Sequence, residues 1–219
     1  MRKCCLILYV IVSVQSVMAQ RPPTPEIGIV SSMENDSLLR AAGYCCLVEN
    51  TQRLLSPLEI SDAEFETLLE KIKLLDVTLL ATNIFIPGHL KVVGPDVDEG
   101  AVLKYVEAVF GRGERAGISM IIWGSGGSRH VPDGFDHARA KDQFISISGK
   151  IAALAKSHNI VLALENLNST EANFINTVAE AYEIVKAVNH ENLRVCADIY
   201  HMLKEGESPE SITSPGQYI

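Results

Sequence analysis

At 219 residues and 47% hydrophobic composition, the chain is long enough for one domain with a sizeable core. Its formal net charge of −8, with no Lys/Arg-rich run, argues against nucleic acid or an anionic membrane surface as a partner.

Arg2 and Lys3 precede the apolar run CCLILYVIVSV, and Val17, Met18 and Ala19 offer a small-residue cleavage site. Residues 1–19 therefore read as an export signal, since the run is too short and wrongly flanked to span a membrane. The expectation is a periplasmic or secreted protein with residues 20–219 as its one domain and no membrane attachment after cleavage. Beyond the signal stand Cys45, Cys46 and Cys196, odd in number and partly adjacent. They do not suggest a disulfide framework and read as small buried hydrophobes.

QRPPTPE (20–26) reads as a leader, and from there the pattern alternates. EIGIV (26–30) is a strand, SLLRAAGY (37–44) a short helix and CCLVEN (45–50) a second strand. Ser61 and Glu64 form a capping box that opens a helix carrying Phe65, Leu68, Leu69 and Ile72 on one face. TLLATNIFI (78–86) is the third strand, closed by Pro87-Gly88. Residues 97–116 follow as a helix, with Val102, Val106, Val109 and Phe110 on one stripe. ISMIIWG (118–124) is the fourth strand, and the loop SGGSRHVPDGFD leads to a helix over 137–157. IVLALEN (160–166) is the fifth strand, with a helix over 172–189. LRVCADIYH (193–201) is the sixth, and PESI (209–212) hints at another helix start.

Apolar strands separated by amphipathic helices, without hairpin signals, predict a parallel sheet covered by helices. A doubly wound sheet and a (β/α)8 TIM barrel both fit. The dinucleotide-binding G-x-G-x-x-G is missing after the first strand. Polar residues gather instead at strand C-termini: Glu49, Asn83, Gly124–His130, Glu165 and Asp198. Barrel active sites are built there, so an α/β (β/α)8 barrel is favoured, incomplete here with about six β/α units.

Glu165 and Asp198 close the fifth and sixth strands. Adjacent strands lie about 4.8 Å apart, so both carboxylates would enter one pocket, where they repel unless a proton or divalent cation sits between them. The alternative, a salt bridge for each, finds on those strands only Arg194, at the wrong end. His201, past the strand end, could bind metal or substrate or cap the next helix. Glu171 has two readings, a favourable charge at a helix N-terminus or a substrate contact. In GSGGSRH (124–130) the glycines would let the backbone bend at the pocket mouth and present Arg129 or His130; the loop lacks the Gly-Lys-Ser/Thr of a P-loop.

Glu165 with Asn166-Leu-Asn168 and Glu171, then ADIYHM (197–202), resembles the xylose isomerase-like TIM barrel superfamily. The likeness is to its sugar isomerase/epimerases, typified by ketose 3-epimerases, and it covers most of residues 25–212. The resemblance implies a divalent ion, foremost Mn2+ with Mg2+, Co2+ or Zn2+ as alternatives, ligated by Glu165 and Asp198. It also implies Glu165 as the proton-transferring base, with Glu171 and His201 contacting substrate hydroxyls. The partner would be a small sugar or keto-glycoside, and a homo-oligomer is an expected assembly. The reaction would be isomerisation or epimerisation by proton abstraction beside a carbonyl, through an enediolate. The family adds a histidine ligand on strand seven and a glutamate ligand on strand eight, and the chain stops before either, so it reads as C-terminally truncated. Three rivals share the fold: a 3-keto-glycoside lyase working by β-elimination, a sugar-binding relic, and a DNA-repair endonuclease, which would want a basic face.

Overall fold

The computed structural model describes residues 27–219. The expected signal segment 1–19 and the leader 20–26 lie outside the described residues. In chain order the regular elements are β1 (Gly28–Val30), α1 (Asp36–Ala41), β2 (Cys46–Asn50), α2 (Thr51–Leu54), α3 (Asp62–Ile72) and β3 (Thr78–Asn83). They continue as α4 (Glu99–Arg115), β4 (Met120–Trp123), α5 (His137–Ser157), β5 (Val161–Glu165), α6 (Val178–Val188), β6 (Leu193–Cys196) and α7 (Ile199–Glu205). None of the described helices is long and apolar enough to cross a membrane.

The six strands form one sheet in the order β1-β2-β3-β4-β5-β6, every pair parallel. A doubly wound sheet reverses direction at a switch point; this one never does, which is the strand order of a barrel wall. Each helix returns the chain to the same end of the sheet, so all C-terminal strand ends share one rim.

Periodicity explains the covering layer. Val102, Val106, Val109 and Phe110 of α4 and Phe144, Ile147 and Ile151 of α5 are buried against the strands. Trp123 at the end of β4 meets Phe85 edge-on and Phe144 at 4.9 Å between ring centroids. Each such fully buried side chain contributes about 2–3 kcal/mol of apolar transfer. The Ser61–Glu64 capping box opens α3 as predicted, with both reciprocal hydrogen bonds formed.

Several expectations are corrected. The third strand stops at Asn83, because Ile84 turns the backbone into the left-handed region at φ 54°. The sixth stops at Cys196, and DIYHM becomes the cap and first turn of α7. The helix expected from residue 172 begins at Val178, where Thr177 and Glu180 make a second capping box. Cys46 is buried, but Cys45 is exposed and Cys196 only partly covered, so the buried-hydrophobe reading holds for one of the three.

Candidate active site

Glu165 is the last residue of β5, in register with Cys196 at the end of β6. Asn166, fully buried, then ties the two strand ends together. Its Oδ1 accepts the Asp198 N–H at 3.0 Å and its Nδ2 donates to the Asp198 carbonyl at 3.5 Å. Asp198 lies two residues past its strand as the N-cap of α7, one carboxylate oxygen accepting the His201 N–H at 2.9 Å. Such a cap contributes about 1 kcal/mol and leaves the second oxygen uncommitted. Ligand atoms of Glu165, Asp198 and His201 all lie within 4.8 Å of one another. The four residues expected at the site thus meet on one rim, since Glu171 and His201 border the same cleft as Glu165.

Hydrogen bonding assigns the histidine. Nδ1 of His201 accepts the Asn168 backbone N–H at 3.1 Å and lies 2.9 Å from Asn168 Nδ2. With Nδ1 an acceptor, the neutral ring carries its proton on Nε2, a donor and not a free metal lone pair. Asn168 Nδ2 also donates to Glu171 at 2.8 Å, so one buried amide orients both side chains. Asn166 and Asn168 entered the sequence reading only as part of the motif, without a role; the structure gives them one as the amides that hold Asp198, His201 and Glu171 in place.

The electrostatics of the pair are unfavourable as they stand. Burial, with Asp198 and then Glu171 adding like charge and Arg129 opposing them, pushes the Glu165 carboxyl up to about 7. Its carboxylate accepts no hydrogen bond among the described residues. Burial beside Glu165 and Asp198 also pushes the Cys196 thiol up to about 12, so without a metal it is neutral, and it is not one of the three clustered donors. Two converging carboxylates with open oxygens form a hard-donor set that fits a divalent cation.

The cleft holds about 370 Å3 between the β3, β4 and β5 loops. Where those loops touch, a Cβ on Gly126 would lie 2.8 Å from the Glu171 carbonyl oxygen, so glycine is required there, and one on Gly124 would displace the Glu165 carboxylate. Of the two residues the glycine-rich loop was expected to present, His130 is exposed, whereas Arg129 is fully buried with its guanidinium bonded to backbone carbonyls. Glu171 does not sit at a helix N-terminus, because α6 starts seven residues later, and its side chain is half exposed toward the cleft.

The family description "xylose isomerase-like TIM barrel" matches residues 37–218. The chain belongs to that family. It is 30% identical to the D-psicose 3-epimerase of Agrobacterium fabrum over 156 residues, 68% of this chain and 53% of that protein. To the D-psicose 3-epimerase of Ruminiclostridium cellulolyticum it is 34% identical over 71 residues, 32% of this chain and 24% of that protein. The chain therefore spans about half or less of the curated relatives it matches. A crystal structure of D-psicose 3-epimerase in the presence of D-fructose superposes with a TM-score of 0.75 at 22% identity, covering 88% of this chain and 70% of that one. That likeness shows the barrel fold, as the strand order already required.

Proposed function

We propose that the protein is a divalent-metal-dependent sugar isomerase or epimerase that moves a proton on a carbon next to a carbonyl. One observation carries the reading: a desolvated, hydrogen-bond-free Glu165 carboxylate beside Asp198 and His201 at the C-terminal rim of a parallel barrel wall. The curated relatives, both D-psicose 3-epimerases, support the substrate class.

Glu165 and Asp198 would hold the ion, with Mn2+ foremost by resemblance. A divalent cation there supplies Lewis-acid polarisation of a carbonyl and charge to balance the enediolate. Glu165 takes the proton from the carbon. Beside the cation the carboxylate is held ionised, which leaves it able to accept that proton and to return it. His201 donates from Nε2 to a substrate oxygen, held by Asn168 behind it. Glu171 accepts from a hydroxyl at the open side of the cleft. The same reading has the chain exported, and mass spectrometry of the secreted product would then find a new N-terminus near Gln20.

The test is solvent exchange. The full chain with Mn2+ and D-psicose in deuterated water is expected to place deuterium on the carbon beside the carbonyl, and Glu165→Gln to stop it. Sugar binding without exchange would make the protein a binding relic. An elimination product from a 3-keto-glucoside would make it a lyase.

A further inference from the structure

Arg129 is unlike the other arginines among the described residues. The arginine ion pairs among the described residues belong to Arg112 and Arg115, whereas Arg129 is fully buried with no carboxylate at ion-pair distance. Its Nη1 donates to the Trp123 carbonyl at 3.3 Å. Nη2 donates to the carbonyls of Glu165 at 2.8 Å and Ile175 at 3.4 Å, and Nε has no partner. Burying a cation without a counter-ion costs several kcal/mol, so the three carbonyls must matter to what is built. Burial lowers the guanidinium to about 9, against the attraction of Glu165 and Glu180, and it remains a cation at neutral pH.

The three carbonyls share a location. Trp123 is the last residue of β4 and Glu165 the last of β5. Ile175 closes the loop between β5 and α6 with a strained φ of 63°, its carbonyl also accepting the Leu167 N–H at 3.1 Å. That loop carries Asn168 and Glu171. A β-branched residue in the left-handed region costs about 1–2 kcal/mol and persists only where its surroundings hold it. The planar guanidinium fork spans all three segments at once; an ammonium, a point donor on a flexible stem, would not.

We propose that Arg129 is a positioning residue, clamping the β4 end, the Glu165 backbone and the loop 166–177 into one rigid piece of the candidate site. The inference rests on the reading of that rim as the active site, but its main readout does not depend on a reaction. Hydrogen exchange is measured on the full chain as wild type and Arg129→Lys. The amides of Leu167, Glu171 and Ala172, which bond within the loop, are expected to exchange about tenfold faster or more in the variant while those of α4 stay unchanged. Mn2+ affinity, read by electron paramagnetic resonance well below the melting temperature, should fall about tenfold, as for other groups that orient a metal's ligands. If Arg129→Lys does not fold, Arg129→Met, which fills the site without charge, is read in the same way. Wild-type protection and affinity in the folded variant would overturn the proposal. So would a uniform loss of protection in every helix, which marks a general stability role. A wild-type chain that takes up no Mn2+ would sink the proposed function and leave the exchange pattern to decide Arg129 alone.

Discussion

Two strands in this sheet carry a glutamate at or next to their C-terminal end, buried Glu49 in β2 and partly buried Glu165 in β5, and they differ in what surrounds the charge. At the end of β2, Glu49 accepts the Met33 N–H at 3.0 Å and the Asn50 N–H at 2.8 Å, one on each carboxylate oxygen. At the end of β5, Glu165 accepts none and instead faces Asp198 and Glu171. The first charge is consumed in holding backbone amides; the second is left open among like charges. Position on the rim therefore does not separate a structural acid from a candidate ligand and base. Whether its oxygens are already satisfied does.

The sharpest break of this comparison is at Glu165. Glu165→Gln is expected to cut proton transfer by about 1,000-fold, within the range of a positioned acid–base group, and to weaken Mn2+ binding in calorimetry. Melting temperature should hold or rise, because a buried repulsion disappears. A marked loss of stability without loss of Mn2+ affinity would make Glu165 a second Glu49.

The next effect is on pH. In the metal-free chain the folded Glu165 carboxyl titrates at about 7 against an ordinary 4.5, so the folded state holds the proton more tightly. Its contribution to stability is full below pH 4.5, declines as pH rises to 7 and is gone above. At about 1.4 kcal/mol per unit, the loss is about 3 kcal/mol. Urea titrations in EDTA between pH 4.5 and 8 should show it in wild type and not in Glu165→Gln. Saturating Mn2+ should remove it, because the cation favours the ionised form.

The alternation of strand and helix, the Ser61–Glu64 cap, the span of α5 and the placement of Glu165 could all be read from residue pattern, because each is a local or periodic signal. What could not be read depends on backbone or tertiary context. Nothing in an isoleucine announces a left-handed φ, so β3 was expected to continue through Ile84. LRVCADIYH is apolar enough to hide the N-cap at Asp198 that ends the strand early. The start of α6 was legible and missed, since Thr177 and Glu180 spell a capping box. An arginine in a glycine-rich loop reads as exposed; only the fold reveals the three carbonyls that bury Arg129.

Glu49→Leu is the converse of the glutamine change at Glu165. It strands the Met33 and Asn50 amides, which should cost about 2 kcal/mol by denaturant unfolding. Mn2+ affinity of the folded protein should stay at the wild-type value. A parallel loss of affinity would mean that the β2 end belongs to the site after all.

The smallest expected effect lies at the other end of the sheet and serves as a control on both. His158, the C-cap of α5 just before β5, sits 2.8 Å from Glu114 and 3.2 Å from Glu107 on α4. Burial alone would lower this imidazole, but hydrogen bonds to the two carboxylates and their charges outweigh it and raise it above 6.5. The folded state holds the imidazole proton more tightly, so this contribution is full below pH 6.5 and lost as pH rises through the folded value. Both glutamates are about half exposed, which limits the contribution to about 0.5 kcal/mol. In a Glu165→Gln background, where the lower titration is gone, His158→Gln should flatten what remains of the decline above pH 6.5. Mn2+ should leave this window unchanged, since no ligand lies near it. A shift of the His158 titration on adding the metal, followed by its ring-proton resonances, would show that the two ends of the sheet are coupled and that the rim cannot be treated as an independent electrostatic unit.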